Sequence, residues 1–165
     1  MRKANCLQAK WRNVVFFLTA LLIVVADQLS KLWIRNNLAV GQSLPEGGFP
    51  RLTHISNTGA AFGLFPDQVF PLIIVSFIGI TVLLLYAFLF YRRFPLLDNW
   101  SAWTGLGLIL GGTVGNLIDR LRLGYVTDFI DFGFWPAFNL ADSAIVVGVI
   151  ILAYSLLSLA RAEKH

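Results

Sequence analysis

Four long apolar stretches, separated by polar connections, dominate the chain. Asn13 to Ile34 runs 22 residues, Val69 to Tyr91 runs 23, Trp100 to Ile118 runs 19 and Ala137 to Ala160 runs 24. A helix that crosses a bilayer needs about 20 mostly apolar residues. Each stretch meets that length, and the second and third carry no charge. The pattern predicts an all-α integral membrane protein, with four transmembrane helices in one membrane-embedded domain over residues 1–165. The connections are Arg35–Gln68, Arg92–Asn99 and Asp119–Pro136. No internal repeat stands out. The third stretch holds Gly105, Gly107, Gly111, Gly112 and Gly115, which read as small residues that let transmembrane helices approach closely.

The first stretch has a second reading. Met1–Arg12 is a basic leader, Val14–Ala26 has the length of a signal-peptide core, and Val24-Val25-Ala26 is a tolerable cleavage site. The apolar pattern continues through Leu29, Leu32, Trp33 and Ile34, which favours an uncleaved span. Composition points to the membrane as well: 57% of residues are hydrophobic and 13% charged, against about a quarter charged in a soluble domain. The net charge is +4, but the basic residues form no clustered face of the kind that binds nucleic acid. Anionic lipid headgroups are the expected partner of the basic ends.

Basic residues also set the orientation. Arg2, Lys3, Lys10, Arg12, Arg92, Arg93, Arg161 and Lys164 fall on one side, Lys31, Arg35, Arg51, Arg120 and Arg122 on the other. Eight against five, with the longer loops on the poorer side, predicts that both termini are cytoplasmic.

Acidic residues inside a bilayer cost a few kcal/mol and mark functional sites by default. With the N-terminus inside, Asp27 lies toward the outer end of the first span. Asp119 follows the last apolar residue of the third, and Asp142 lies near the outer start of the fourth. Asp128 and Asp131 sit in the connection between those two spans. Inverting the topology moves all five together. Polar partners share that face: Asn57 in the first outer connection, Asn116 near Asp119, and Asn139 three residues before Asp142, on the same side of a helix. Arg120 can neutralise part of the charge.

Plainer roles stand beside these. Asp131 reads as an ordinary headgroup-level charge, and Asp119–Arg120 admits the same reading. Asn57 can serve a turn, and Asp27 can pair with Lys31 at spacing four. Asp142 resists such accounts: it lies five residues inside its apolar stretch, roughly 7 Å deep by helix rise, with no basic neighbour in sequence.

The residue types restrict the chemistry. Catalytic metal sites usually take histidine or cysteine, and only His54, which reads as a polar loop residue, lies on the acidic side. No metal or other cofactor is expected. Cys6 is the only cysteine, so no intrachain disulfide forms, and it has no neighbouring base to make it a nucleophile. No Gly-x-Ser-x-Gly elbow occurs, and no serine has a His or Lys base at the outer face. Paired carboxylates remain. Two Asp side chains a few ångströms apart share one proton. The ionised member takes a proton from water as it attacks a carbonyl, and the protonated member donates to the carbonyl oxygen. Amide hydrolysis is the natural outcome.

Five motifs then occur in order: Asp27-Gln-Leu-Ser-Lys31, Asn57-Thr-Gly-Ala-Ala-Phe-Gly63, Gly115-Asn-Leu-Ile-Asp-Arg120, Val126-Thr-Asp-Phe129 and Phe138-Asn-Leu-Ala-Asp-Ser143. Together they resemble the bacterial lipoprotein signal peptidase (signal peptidase II) family, over all four spans from about Val14 to Ala160. The resemblance implies an aspartyl endopeptidase of the bacterial cytoplasmic membrane. Such an enzyme removes the signal peptide from prolipoproteins, cutting before a cysteine that carries diacylglycerol. It implies Asp128 and Asp142 as the catalytic pair, and Asp27, Asn57, Asn116, Asp119, Arg120 and Asn139 as residues that shape the site and bind substrate. It implies a small extracytoplasmic β-cradle, which Arg51–Phe65 can supply, membrane lipid as a partner, and a monomer. A diacylglyceryl anchor would hold the scissile bond at the membrane surface, each buried methylene adding about 0.8 kcal/mol.

Two other classes compete. A proton or ion pathway needs polar groups spread across the bilayer, whereas the cytoplasmic halves of the four stretches carry no acidic residue. A structural or chaperone-like membrane subunit would not need paired acids.

Overall fold

The computed structural model describes residues 2–59, 68–90 and 99–162. Helix α1 spans Arg2–Asn37, α2 Val69–Leu85, α3 Trp100–Leu123 and α4 Leu140–Ala162, and a π-helical turn, Tyr86–Phe90, extends α2. All four contain segments long and apolar enough to cross a membrane: Trp11–Asn37, Val69–Leu89, Trp100–Leu123 and Leu140–Leu159. The chain is a multi-pass membrane protein.

α3 is the central helix, with 61% of its apolar window buried against at most 22% for the others. Its glycines are the reason. A Cβ at Gly107 or Gly111 would meet the backbone carbonyls of Phe16 or Ala20 on α1, and one at Gly105 or Gly112 those of Gly148 or Ala141 on α4. Backbones packed this closely gain dispersion contacts that lipid-facing leucines cannot supply. Phe16 and Trp103, both fully buried, meet edge to face with centroids 5.9 Å apart. Leu18, Leu21 and Leu22 of α1 and Ile150 and Leu157 of α4 remain exposed, as surfaces toward lipid do.

At one end of the bundle sits a three-stranded antiparallel sheet in the order β1 (Ser43–Leu44), β2 (Arg51–Asn57), β3 (Val126–Asp131). The expected β-cradle is present, but its third strand comes from the α3–α4 connection, and among the described residues of the Arg51–Phe65 stretch Arg51–Asn57 is strand. Residues 60–67 lie outside those described. Ile34 and Leu38 at the end of α1 and Phe129 of β3 form the apolar seat of the sheet. His54 is a buried strand residue rather than a loop residue, its Nδ1 2.8 Å from the Leu38 carbonyl oxygen. Asp131 is buried too and paired within the sheet, not a solvated charge. It accepts from Arg51 Nε at 2.7 Å and Thr53 Oγ1 at 3.0 Å, locking β3 to β2.

Two boundaries differ from the hydropathy pattern. α3 continues past Ile118 to Leu123, so Asp119 and Arg120 lie on a helix and not in a connection. The helix stops at Gly124, whose φ of 77° suits glycine. α4 begins at Leu140 and not at Ala137. Asp142 therefore occupies its first turn and is not 7 Å inside it.

Candidate active site

The end of α3, the start of α4, the outer part of α1 and the edge formed by β2 and β3 converge on one group of polar side chains. Asn139 begins the construction. It caps α4, its Oδ1 accepting from the Asp142 backbone N–H at 2.9 Å, while the Asp142 carboxylate accepts from the Asn139 N–H at 3.2 Å. This reciprocal capping box puts Asp142 where helix N–H groups point, a position that favours negative charge. The spacing of three that suggested one helix face is in fact a cap.

The Asn139 amide then reaches Asp128. Its Nδ2 donates to Asp128 Oδ1 at 2.7 Å, and Asn57 Nδ2 donates to the other oxygen at 2.8 Å. Asn57 is not merely a turn residue, although its Oδ1 also accepts from the Gly59 N–H at 2.9 Å. Asn116 Nδ2 donates to Asp142 Oδ1 at 2.8 Å. Asp128 and Asp142 both line a cavity of about 510 Å³ that opens along α4 past Ile145 and Val146. A smaller cavity of about 250 Å³ meets Asp128 from the side of Asn57 and Gly59. A chain lying across both would pass the two carboxylates.

Asp128 is 2% exposed. Burial, and next the charge of Asp142, push its carboxyl up to about 6, against the pull of the Asn57 and Asn139 hydrogen bonds and of Lys31. A carboxyl of this kind holds a proton in weakly acidic solution, and a proton donor beside a second carboxyl group is what general acid–base hydrolysis requires.

Asp27 and Asp119 stand behind the pair. Asp27 Oδ1 accepts from the Ala141 N–H at 3.0 Å, fastening α1 to the start of α4. Asp119 Oδ2 accepts from the Thr127 N–H at 3.1 Å, fixing the strand that carries Asp128. Between them lies Lys31, fully buried, 2.9 Å from Asp27 and 3.3 Å from Asp119. The expected Asp27–Lys31 pair is present, and it belongs to a larger network. Arg35 lies 3.6 Å from Asp119 and donates to Thr127 Oγ1 at 3.0 Å. Arg120, expected to neutralise part of the charge, acts on these acids from a distance. Among the described residues its half-buried guanidinium forms no ion pair, and it faces Asp142, Asp128 and Asp119 at longer range.

All eight sequence-selected residues gather here. Reading from sequence missed Gln28, Arg35 and Thr127 and gave Lys31 only a local role. Lys31 and Arg35 left a signal, since they follow Asp27 at four and eight residues on one face of an apolar helix. Gln28, which donates to Asp119 Oδ1 at 3.2 Å and to the Gly115 carbonyl at 3.1 Å, stood inside the Asp27–Lys31 motif without a role of its own. Among the described residues, no three His, Cys, Asp or Glu side chains are disposed to hold a metal ion.

Known proteins share this architecture and sequence. A family model described as signal peptidase (SPase) II matches residues 19–158. A lipoprotein signal peptidase of Dehalococcoides mccartyi is 51% identical over 139 residues, 84% of this chain and 86% of its own length. One from Moorella thermoacetica is 50% identical over 143 residues, 86% and 92% of the two chains. Among solved structures, a bacterial membrane enzyme determined by the in meso method at 2.3 Å superposes with a TM-score of 0.76 and 29% identity, covering 87% of each chain.

Proposed function

The chain belongs to the signal peptidase II family, and from that premise we propose that Asp128 and Asp142 are the pair with which it hydrolyses its substrate. It is an aspartic-type membrane hydrolase that removes signal peptides from lipoprotein precursors. The observation that carries the assignment is the linkage of the two carboxylates through Asn139 at the rim of an apolar cavity. Asp142, at the N-terminus of α4, is the base that takes a proton from water as the oxygen attacks the scissile carbonyl carbon. Asp128 donates its proton toward the carbonyl oxygen. As the tetrahedral intermediate collapses, a proton passes to the leaving amine and the dyad regains its starting state. Asn57, Asn116 and Asn139 hold the carboxylates, Asp27 and Asp119 anchor the helix and the strand that carry them, and the guanidinium of Arg120, which forms no ion pair among the described residues, is suited to a substrate carbonyl.

The 510 Å³ cavity is apolar along α4, which suits the hydrophobic part of a signal peptide or an acyl chain. On this reading the substrate is a diacylglyceryl-modified prolipoprotein cut before its lipidated cysteine. The protein acts as one membrane-embedded domain and as a monomer in the bacterial cytoplasmic membrane, termini inside and carboxylates near the outer face. Asp128→Asn and Asp142→Asn should each abolish cleavage of a diacylglyceryl-modified prolipoprotein, followed by gel shift, while the protein still inserts. The double variant should be little worse than either single one, because members of one catalytic unit are not additive. Near-normal turnover by either single variant would remove that residue from the pair.

A further inference from the structure

We propose that Lys31 is a positioning residue of the cleavage site: by binding the Asn116 carbonyl oxygen it fixes which edge of that amide meets Asp142, and so aligns the donors on both Asp142 and Asp128. The inference rests on the reading of Asp128 and Asp142 as the acting pair.

Lys31 is fully buried, with no exposed side-chain surface. Its ammonium has three hydrogens and no acceptor capacity. Two of its contacts are ion pairs with carboxylates, Asp27 Oδ2 at 2.9 Å and Asp119 Oδ2 at 3.3 Å. The third goes to the amide oxygen of Asn116 at 2.8 Å, the shortest of the set. A role as counterion to Asp27 and Asp119 explains two of these contacts and leaves the shortest without a purpose.

An asparagine amide is nearly symmetric in shape, and its orientation follows from its partners. Asn116 Oδ1 accepts from Lys31 and, at 3.1 Å, from Asn139 Nδ2. Its Nδ2 is therefore the group presented to Asp142 Oδ1, at 2.8 Å. Turning the amide over would set its NH2 against an ammonium and its oxygen against a carboxylate, two repulsive contacts in a buried site. The Asn139 amide is held in the same way. One hydrogen of its Nδ2 meets Asn116 Oδ1 and the other meets Asp128 Oδ1 at 2.7 Å, leaving its own oxygen for the Asp142 N–H. A single ammonium thus orders a chain of donors that ends on both carboxylates, and it polarises each amide in turn.

Other titratable groups on the elements around the pair lack this connection. Asp27 and Arg35 lie on α1, Asp119 and Arg120 on α3, Arg51 and His54 on β2, and Asp131 on β3. Arg35 is engaged by Asp119 and Thr127, and Arg51 by Asp131. Among the charged groups of the described residues, only Lys31 donates to a side-chain amide that itself donates to Asp142.

The test is the pH dependence of cleavage of a diacylglyceryl-modified prolipoprotein by purified, folded protein in one detergent. Lys31→Met should move the upper limb of the rate profile to higher pH by about one unit, the lower end of what a nearby opposite charge does. A merely structural lysine would lower the yield or the unfolding temperature and leave the limb where it is in the wild type. Lys31→Met/Asp27→Asn, which removes opposite charges together and spares Asn116, should show the same displacement even if the single variant does not fold. Asn116→Leu separates a hydrogen-bonded chain from a charge acting through space. In that background Lys31→Met should shift the limb no further, whereas a full additional shift would overturn the proposal. Asp128→Asn and Asp142→Asn serve as controls. If either retains turnover, the reading of the pair fails. If both are inactive and the Lys31 variants keep the wild-type limb, only the role given to Lys31 fails.

Discussion

Replacing Asp128 with Asn should stabilise the folded protein at alkaline pH, even though it removes a group proposed to react. The Asp128 carboxyl is raised from an ordinary 3.8 to about 6, chiefly by burial and then by the charge of Asp142. Between those two values the folded protein binds more protons than the unfolded chain, so stability falls as pH rises through about 6. Above that the folded state must carry an ionised carboxylate that the unfolded chain ionises more easily. Below about 4 both states are protonated and the handicap is gone. At about 1.4 kcal/mol per unit, the shift from 3.8 to about 6 amounts to about 3 kcal/mol at pH 8. Asn escapes this cost but has only one acceptor where Asn57 and Asn139 both donate, and losing one such bond costs about 1–1.5 kcal/mol. The net gain at pH 8 is then about 1–2 kcal/mol, on the order of 5 °C in unfolding temperature for a chain of this size. Thermal unfolding followed by tryptophan fluorescence from pH 4.5 to 8.5, in one detergent, reads it. The gain should shrink below pH 6 and cross zero near pH 4.5, where the remaining handicap of about 1 kcal/mol is matched by the lost hydrogen bond. A variant that is less stable by the same amount at every pH would show that Asp128 carries no raised pKa and would refute the reasoning.

Two further outcomes are expected. Gly115→Ala would bring a Cβ to 2.6 Å from Asp27 Oδ2, and Lys31, Gln28 and the Ala141 N–H hold that carboxylate in place. The substitution should cost about 1–3 kcal/mol and reduce cleavage, and an unchanged unfolding temperature would count against the tight packing of α1 on α3. A topology reporter after Ala160 should read as cytoplasmic and one within residues 35–50 as extracytoplasmic, following the eight-to-five distribution of basic residues; the opposite pattern would invert the orientation and leave the site intact.

Local pattern determined a good deal about this protein. Length and hydropathy suffice for four spans, because a bilayer demands about 20 apolar residues and an internally bonded backbone whatever the neighbours are. The carboxylates were legible as one group for a similar reason: chain direction alternates with each span, so position along a span gives position across the membrane. The ends of the helices were less legible. Apolarity stops at Ile118, but α3 runs on to Leu123, because Asp119 and Arg120 face protein and not lipid. Gly124 and the basic residues Arg120 and Arg122 in the last turn were a helix-stop signal that hydropathy alone overlooks. β3 was hidden in a polar connection, since a six-residue strand in a small sheet depends on pairing with β2, some 70 residues away. Asp131 shows the same limit, because a partner 80 residues distant decides whether a carboxylate is a solvated charge or a strand lock. What only the tertiary structure decided is the wiring: that Lys31 reaches Asn116, that Asn139 is both helix cap and bridge, and that Arg120 forms no ion pair among the described residues. Hydrogen bonds depend on tenths of an ångström and on which edge of an amide faces which charge, and no residue spacing encodes that until four helices and a sheet have packed.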